Sequence, residues 1–370
     1  MPVAVPELGT YTYVAETKEK LDWADLVTVD LGVIGTPEGK KQQADILISA
    51  VREKGFFYVK NFGISQERVN RQFALGKMFY ELSIEEKLKY VPRDLELDDG
   101  QFNGYVPAGR RFIDEEKKIP DRMEIYNIPK FNGDFTHSHP AVIQDSLDEV
   151  EEFARSLHTE VLDPLFVLLA VALELPEDYF TNLHQYQVKS EDHLRYMRYS
   201  KYPPEILGKL KNWLNGHTDL GSFTLLFRQP VAALQIRDHT TDAWKWVKPQ
   251  DATLTVNACD ALQFLTAGYV KSTIHRVTVP PKDQQHVDRL GLLYFSRPHN
   301  DVKLATIKDS PVLQREGYTQ NQFENTRNRI PTMEEWTFAK QKWQRTKAQA
   351  MTKDHDIATI LPGFNERPYA

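Results

Sequence analysis

Three His-x-Asp pairs stand in the chain: His217 with Asp219, His286 with Asp288, and His299 with Asp301. In a strand, residues two apart face the same side, so both side chains of such a pair reach one point, and an ion held there needs a third ligand from elsewhere. Only the first pair has a well-placed candidate. His275 begins His275-Arg276-Val277-Thr278-Val279, a strand-like run able to lie beside another strand across a barrel mouth. His286 and His299 have loop-like surroundings and only His355 in the tail to turn to; they and the remaining histidines are expected at the surface or in loops. Two neutral imidazoles and one carboxylate leave three coordination positions open, the arrangement of non-haem iron(II) oxygenases rather than of closed structural zinc. His217, Asp219 and His275 are therefore the expected metal ligands.

Such ligands need a sheet to present them. From His193 to Pro298 the chain reads as short β-branched or aromatic runs between turn residues: Phe223 to Phe227, Leu234 to Arg237, Trp244 to Val247, Thr253 to Asn257, His275 to Val279 and Leu290 to Ser296. That texture predicts a sandwich or closed double sheet. Upstream, Leu26 to Leu31 and Phe56 to Lys60 read as strands. Thr36 with Pro37 starts a helix that ends before Gly55, and Ser65, then Ser83 with Glu86, start two more. The stretch from about Gly100 to Pro140 reads as loop and exposed ribbon. Apolar residues three or four apart from Leu147 to Val161 predict an amphipathic helix backing the sheet, kinked at Pro164. A last helix from Met333 to about Ala350, with Trp336, Ala339 and Trp343 near one face, packs on the barrel or forms part of its lid.

Composition narrows the partners. Lys and Arg number 46 against 52 Asp and Glu, scattered without a basic block, for a net charge of -6. This argues against nucleic acid and against an anionic membrane, and favours a small molecule. Cys259 is the single cysteine, so no internal disulfide or cysteine-rich zinc cluster forms, and it reads as a buried strand residue in a protein of a reducing compartment. The longest apolar run, Leu165 to Leu173, falls short of the roughly 20 residues of a membrane span, and the start of the chain lacks a secretory pattern, so cytoplasmic residence is expected.

The segment Gly216-His217-Thr218-Asp219-Leu220-Gly221-Ser222-Phe223-Thr224-Leu225-Leu226 resembles the iron segment of the 2-oxoglutarate-dependent dioxygenases related to isopenicillin N synthase. Asp260-Ala261-Leu262-Gln263 and Lys271-Ser272-Thr273-Ile274-His275-Arg276-Val277 are similar to that superfamily's second iron segment, in the same order. Val27 to Ser65, with Gly55-Phe56-Phe57-Tyr58-Val59, resembles its helical lead-in, so the likeness spans about residues 26 to 300. It implies a mainly β chain with flanking helices (α+β), built on a double-stranded β-helix, or jelly roll. The implied division is an N-terminal dioxygenase region at 26–140, a backing helix and iron- and 2-oxoglutarate-binding core at 141–300, and a C-terminal helix and tail at 301–370.

The resemblance also implies Fe(II), 2-oxoglutarate and O2. Arg289 stands where the family carries Arg-x-Ser, whose guanidinium fork holds the far carboxylate of 2-oxoglutarate. Gly291 takes the serine's place, leaving the lost hydrogen bond to a water or to Tyr202. Tyr202, in Arg198-Tyr199-Ser200-Lys201-Tyr202-Pro203-Pro204, matches the tyrosine of the family's Asn-x-Tyr element, with Ser200 replacing the asparagine. Phe295 and the loop from Tyr105 to Phe112 fall where the superfamily meets its primary substrate. The implied enzyme hydroxylates, desaturates or cyclises a small molecule of specialised (secondary) metabolism and releases succinate and CO2. Two alternatives stay open: an oxidase like isopenicillin N synthase that uses no keto acid, and a non-catalytic small-ligand binding protein on the same fold.

Overall fold

A computed structural model describes residues 8–92, 103–110, 112–114, 117–134, 138–325, 329–350 and 358–366; His355 and the end of the tail, 367–370, lie outside them. The strands, in chain order, are β1 Thr28–Asp30, β2 Phe56–Lys60, β3 Gly104–Val106, β4 Phe112–Asp114, β5 Ile119–Pro120, β6 Met123–Pro129, β7 His193–Tyr199 and β8 Asn212–His217. They continue with β9 Phe223–Phe227, β10 Leu234–Arg237, β11 Trp244–Trp246, β12 Thr253–Ala258, β13 His275–Thr278, β14 Arg289–Phe295, β15 Ala358–Leu361 and β16 Phe364–Glu366. An eight-stranded sheet runs β1-β2-β12-β9-β14-β7-β6-β3, and a four-stranded sheet runs β11-β10-β13-β8. The two form the expected jelly roll.

Alternation along the strands assigns the two faces of the large sheet. Leu292 and Tyr294 of β14, Leu194 and Tyr196 of β7, and Leu225 of β9 join helix residues such as Leu47, Phe79, Phe153 and Phe166 in one buried cluster. Their neighbours turn the other way. Met197 and Tyr199 pack with Trp213 and Val277 of the small sheet, while Phe56 and Tyr58 pack with Leu234 and Ile236. The inner cavity is therefore lined by alternate residues of both sheets.

Helix starts follow their caps. Thr36 Oγ1 accepts from the Gly39 N–H at 3.1 Å ahead of Pro37–Glu53, Ser65 Oγ from Arg68 at 3.3 Å ahead of Gln66–Glu81, and Ser83 Oγ from Glu86 at 3.2 Å ahead of Ile84–Leu88. The kink expected at Pro164 takes another form. The helix Leu147–Ser156 runs into a π-helical turn over Leu157–Leu162, and Pro164 then lies in the first turn of Asp163–Ala172. Proline lacks the N–H that a continuous α-helix would need there, and the widened turn absorbs the loss.

Part of the stretch expected as loop and exposed ribbon is instead buried sheet. β6 is buried along its whole length, pairs with β7 from Met123↔Tyr199 to Pro129↔His193, and carries β3 on its other edge. Its charged residue is neutralised inside: Glu124 accepts from Lys87 Nζ at 2.6 Å and from Arg198 Nε at 2.9 Å. The histidine expectation holds for His286 at the surface and for His184 and His299 outside helices and strands, and needs correction for His158, in a helical turn, and His193, in β7. His286 is exposed, but His299 is buried in its loop, and His158, His184 and His193 are buried as well. Cys259 is buried as expected, though just past β12 at the start of the helix Asp260–Leu265.

Candidate metal and co-substrate site

β8 and β13 pair antiparallel with His217 opposite His275, and the two rings lie 4.3 Å apart. Asp219 follows in the turn towards β9. Nε2 of His217 is 3.9 Å from Asp219 Oδ1, Nε2 of His275 is 3.8 Å from Oδ2, and the three potential ligand atoms all fall within 4.8 Å of one another. Each histidine is oriented by the carbonyl two residues before it. Nδ1–H of His217 donates to the Asn215 carbonyl at 3.0 Å, and Nδ1–H of His275 to the Thr273 carbonyl at 3.1 Å. Those bonds set the tautomer and leave both Nε2 lone pairs for an ion.

Asp219 is held as firmly. Its Oδ2 accepts from Thr224 Oγ1 at 2.8 Å and from Asn257 Nδ2 at 2.9 Å. Burial pushes its carboxyl upward, but the imidazoles of His275 and His217, with the Asn257 and Thr224 hydrogen bonds, outweigh it and keep the group below its ordinary value. It is thus ionised and ready to ligate. The turn itself is pinned by backbone bonds from Asp260 N to the Asp219 carbonyl and from Ser222 N to the Ser296 carbonyl. Gly221 is required there, since a β-carbon would sit 2.0 Å from the Ser296 oxygen.

Behind the turn, the helix Met333–Ala350 packs where a C-terminal helix was expected. Trp336 Nε1 donates to the Leu220 carbonyl, and the enclosed Lys340 ammonium reaches Thr218 Oγ1 at 3.3 Å, between the two ligands of the pair. Lys340 also meets Asp260 and, from β16, Glu366. Burial lowers the lysine, and these two carboxylates more than reverse that, so it stays charged.

Arg289 opens β14 opposite Tyr199, 4% exposed, its guanidinium 5.5 Å from the Tyr199 ring. Burial draws it down to about 10, leaving it cationic at neutral pH. No carboxylate pairs with it among the described residues, and its Nε is unmet. It lines a small cavity with Leu226 and Thr255, each two residues along its strand from Thr224 and Asn257, which hold Asp219. Two residues of strand span about 7 Å. That is the scale of a five-carbon diacid, so two imidazoles, a carboxylate and a buried guanidinium are a donor set that fits iron(II) and 2-oxoglutarate.

The other expected residues divide. Phe295 faces inward: its partner in the sheet is Thr224, it stacks on His193 at 4.7 Å, and the Arg195 guanidinium lies 4.4 Å from its ring. Tyr202 is buried near Tyr199, but its hydroxyl donates to the Pro120 carbonyl at 3.0 Å. Ser200 uses its backbone N–H on the Arg122 carbonyl. Tyr105 belongs to the opposite face, 5.6 Å from the Phe79 ring with its hydroxyl on Glu124, because strand alternation turns it towards the helices. Phe112 is 43% exposed on the β4–β5 hairpin. Tyr105 is thus turned away from the metal, whereas the carbonyl of Ile113, next to Phe112, accepts from Asn215 Nδ2 of β8 at 3.4 Å. Thr224, Asn257, His193, Arg195 and Gln229 are inner-cavity residues that sequence reasoning missed; of these, Thr224 alone lay within a motif.

Comparison with known proteins identifies the family. Residues 26–146 match the family model for the non-haem dioxygenase in morphine synthesis N-terminal, and residues 191–298 match that of the 2OG-Fe(II) oxygenase superfamily. The chain is 30% identical over 317 residues to jasmonate-induced oxygenase 3 of Arabidopsis thaliana, covering 82% of this chain and 81% of the relative. It is 30% identical over 250 residues to azadirone synthase LFS of Melia azedarach, covering 64% of this chain and 73% of the relative. A full-length Neurospora crassa protein solved in complex with alpha-KG shares the fold, with a TM-score of 0.73 over 88% of this chain and 99% of that one at 22% identity. The chain belongs to the 2-oxoglutarate–Fe(II) oxygenase superfamily and is a 2-oxoglutarate-dependent dioxygenase that uses iron(II) and O2 to oxidise a small organic molecule.

Proposed function

We propose that His217, Asp219 and His275 hold the iron, that Arg289 binds the far carboxylate of 2-oxoglutarate, and that the primary substrate meets the wall formed by Phe295, His193 and Arg195. The observation that carries this reading is the convergence of the three ligand atoms within 4.8 Å. When bound, iron(II) with 2-oxoglutarate and O2 supplies the oxidising power for hydroxylation, desaturation or ring closure, with succinate and CO2 as co-products. The chain's own groups position and exclude water. Asn257 and Thr224 fix the Asp219 carboxylate, the Asn215 and Thr273 carbonyls fix the imidazoles, Phe56 packs against the His275 ring, and Leu226, Leu234 and Val247 supply the apolar lining of the Arg289 end.

The names of the relatives favour a substrate from specialised metabolism, and the scattered charge favours a small molecule over nucleic acid or membrane as partner. No helix among the described residues is long and apolar enough to cross a membrane. Work in the cytoplasm fits the lone buried thiol, Cys259. Regions 26–140 and 141–300 act together in this reading, since β1, β2, β3 and β6 complete the sheet of the core, and the helix of 301–370 joins them through Trp336 and Lys340. The test is release of labelled CO2 from 2-oxoglutarate by Fe(II)-loaded protein over a panel of plant- and fungal-type metabolites. Substrate-dependent release together with an oxidised product supports the reading. Product formed without CO2 release replaces it by an oxidase needing no keto acid.

A further inference from the structure

Gln229 lies in the turn Arg228-Gln229-Pro230 after β9, 7% exposed, and neither Oε1 nor Nε2 of its amide has a partner. A side-chain amide buried with both ends unmet is uncommon in a folded protein. Its surroundings say what would meet it. Gln229 lines the same small cavity as Arg289, whose Nε is also unmet, and a β-carbon built on Gly291 would lie 2.6 Å from Gln229 Nε2. The amide thus occupies the space that a side chain at position 291 would take.

We propose that Gln229 is a second donor to the far carboxylate of 2-oxoglutarate, acting with Arg289 in place of the hydroxyl that Gly291 lacks. The proposal rests on the assignment of Arg289 above. A carboxylate offers about four acceptor sites, a guanidinium fork fills two, and an amide N–H reaching in from the neighbouring turn fills another. Tyr202 is not the substitute, because its proton already goes to Pro120. Glycine at 291 and glutamine at 229 make one solution, since a serine on the strand would push the amide aside. With two donors aimed at one carboxylate, the site selects a diacid over a keto acid that lacks the far charge.

The test titrates 2-oxoglutarate, and separately 2-oxobutanoate, which lacks the far carboxylate, into anaerobic Fe(II)-loaded protein, following the visible charge-transfer absorption and the heat of binding. Gln229→Ala is expected to weaken 2-oxoglutarate by about tenfold or more and to leave 2-oxobutanoate unchanged. Gln229→Glu keeps the shape without opening a cavity and is expected to lose more, through repulsion between carboxylates. Gly291→Ser in the Gln229→Ala background should recover most of the loss. Parental 2-oxoglutarate affinity in Gln229→Ala and Gln229→Glu, or an equal loss for both keto acids, overturns the proposal. Arg289→Ala separates the two levels: if it alone weakens 2-oxoglutarate, only the role of Gln229 fails, and if it too binds normally, the co-substrate assignment fails with it.

Discussion

The metal end and the Arg289 end of the inner cavity treat their polar groups in opposite ways. At the metal end, both Nδ1 atoms and the Asp219 Oδ2 are met by carbonyls, a hydroxyl and an amide, so the ligands are fixed before an ion arrives. At the other end, the Arg289 Nε and both atoms of the Gln229 amide are left open. A transition metal tolerates little misplacement of its ligands, whereas a flexible diacid completes its own hydrogen bonds on arrival. Within this cavity, saturation falls where geometry must be built in, and the unmet donors fall where the ligand would finish the structure.

Breaking the saturated end should have the largest effect. Asp219→Ala removes the anionic ligand, and substrate-dependent succinate formation is expected to fall by about three orders of magnitude or more; turnover near the parental rate would remove the metal assignment. Asn257→Ala leaves Asp219 with Thr224 as its remaining side-chain donor. Iron(II) affinity, measured by anaerobic titration, should drop about ten- to hundredfold, while 2-oxoglutarate binding to iron-saturated protein stays the same. An unchanged iron affinity would mean that the orientation of the carboxylate matters less than its presence. Tyr105→Phe sharpens the comparison from outside the cavity. Glu124 retains Lys87 and Arg198, so urea unfolding should show a loss of about 1 kcal/mol and turnover should stay within about twofold of the parent. A larger fall in turnover would return Tyr105 to the site.

The triad was legible because strand pairing turns a two-residue spacing into a shared face, and His275 sat at the head of a β-branched run. β9 and β10 were legible for the same reason, with Phe223–Phe227 and Leu234–Arg237 found as read. β6 and β7 were hidden by their own charges. Glu124, Arg195 and Arg198 break the apolar alternation, and only the folded sheet shows Glu124 and Arg198 side by side, neutralising each other. Tyr105 was misassigned because one residue of register decides the face, and no local pattern set that register. Gly291 was readable as a missing hydroxyl. Its replacement was not, because Gln229 is distant in sequence and only the pairing of β9 with β14 brings the two together.

Lys340 places a positive charge just behind Thr218, on the side from which a bound cation would feel it. Asp260 and Glu366 cancel that charge, and Glu366 comes from the hairpin β15–β16 rather than from the barrel. The terminal hairpin is in this sense an electrical shield for the iron. A fusion or proteolytic cut that lifted Glu366 away would leave Asp260 as the carboxylate facing the enclosed ammonium, and the metal would feel a less fully screened positive charge across a single threonine.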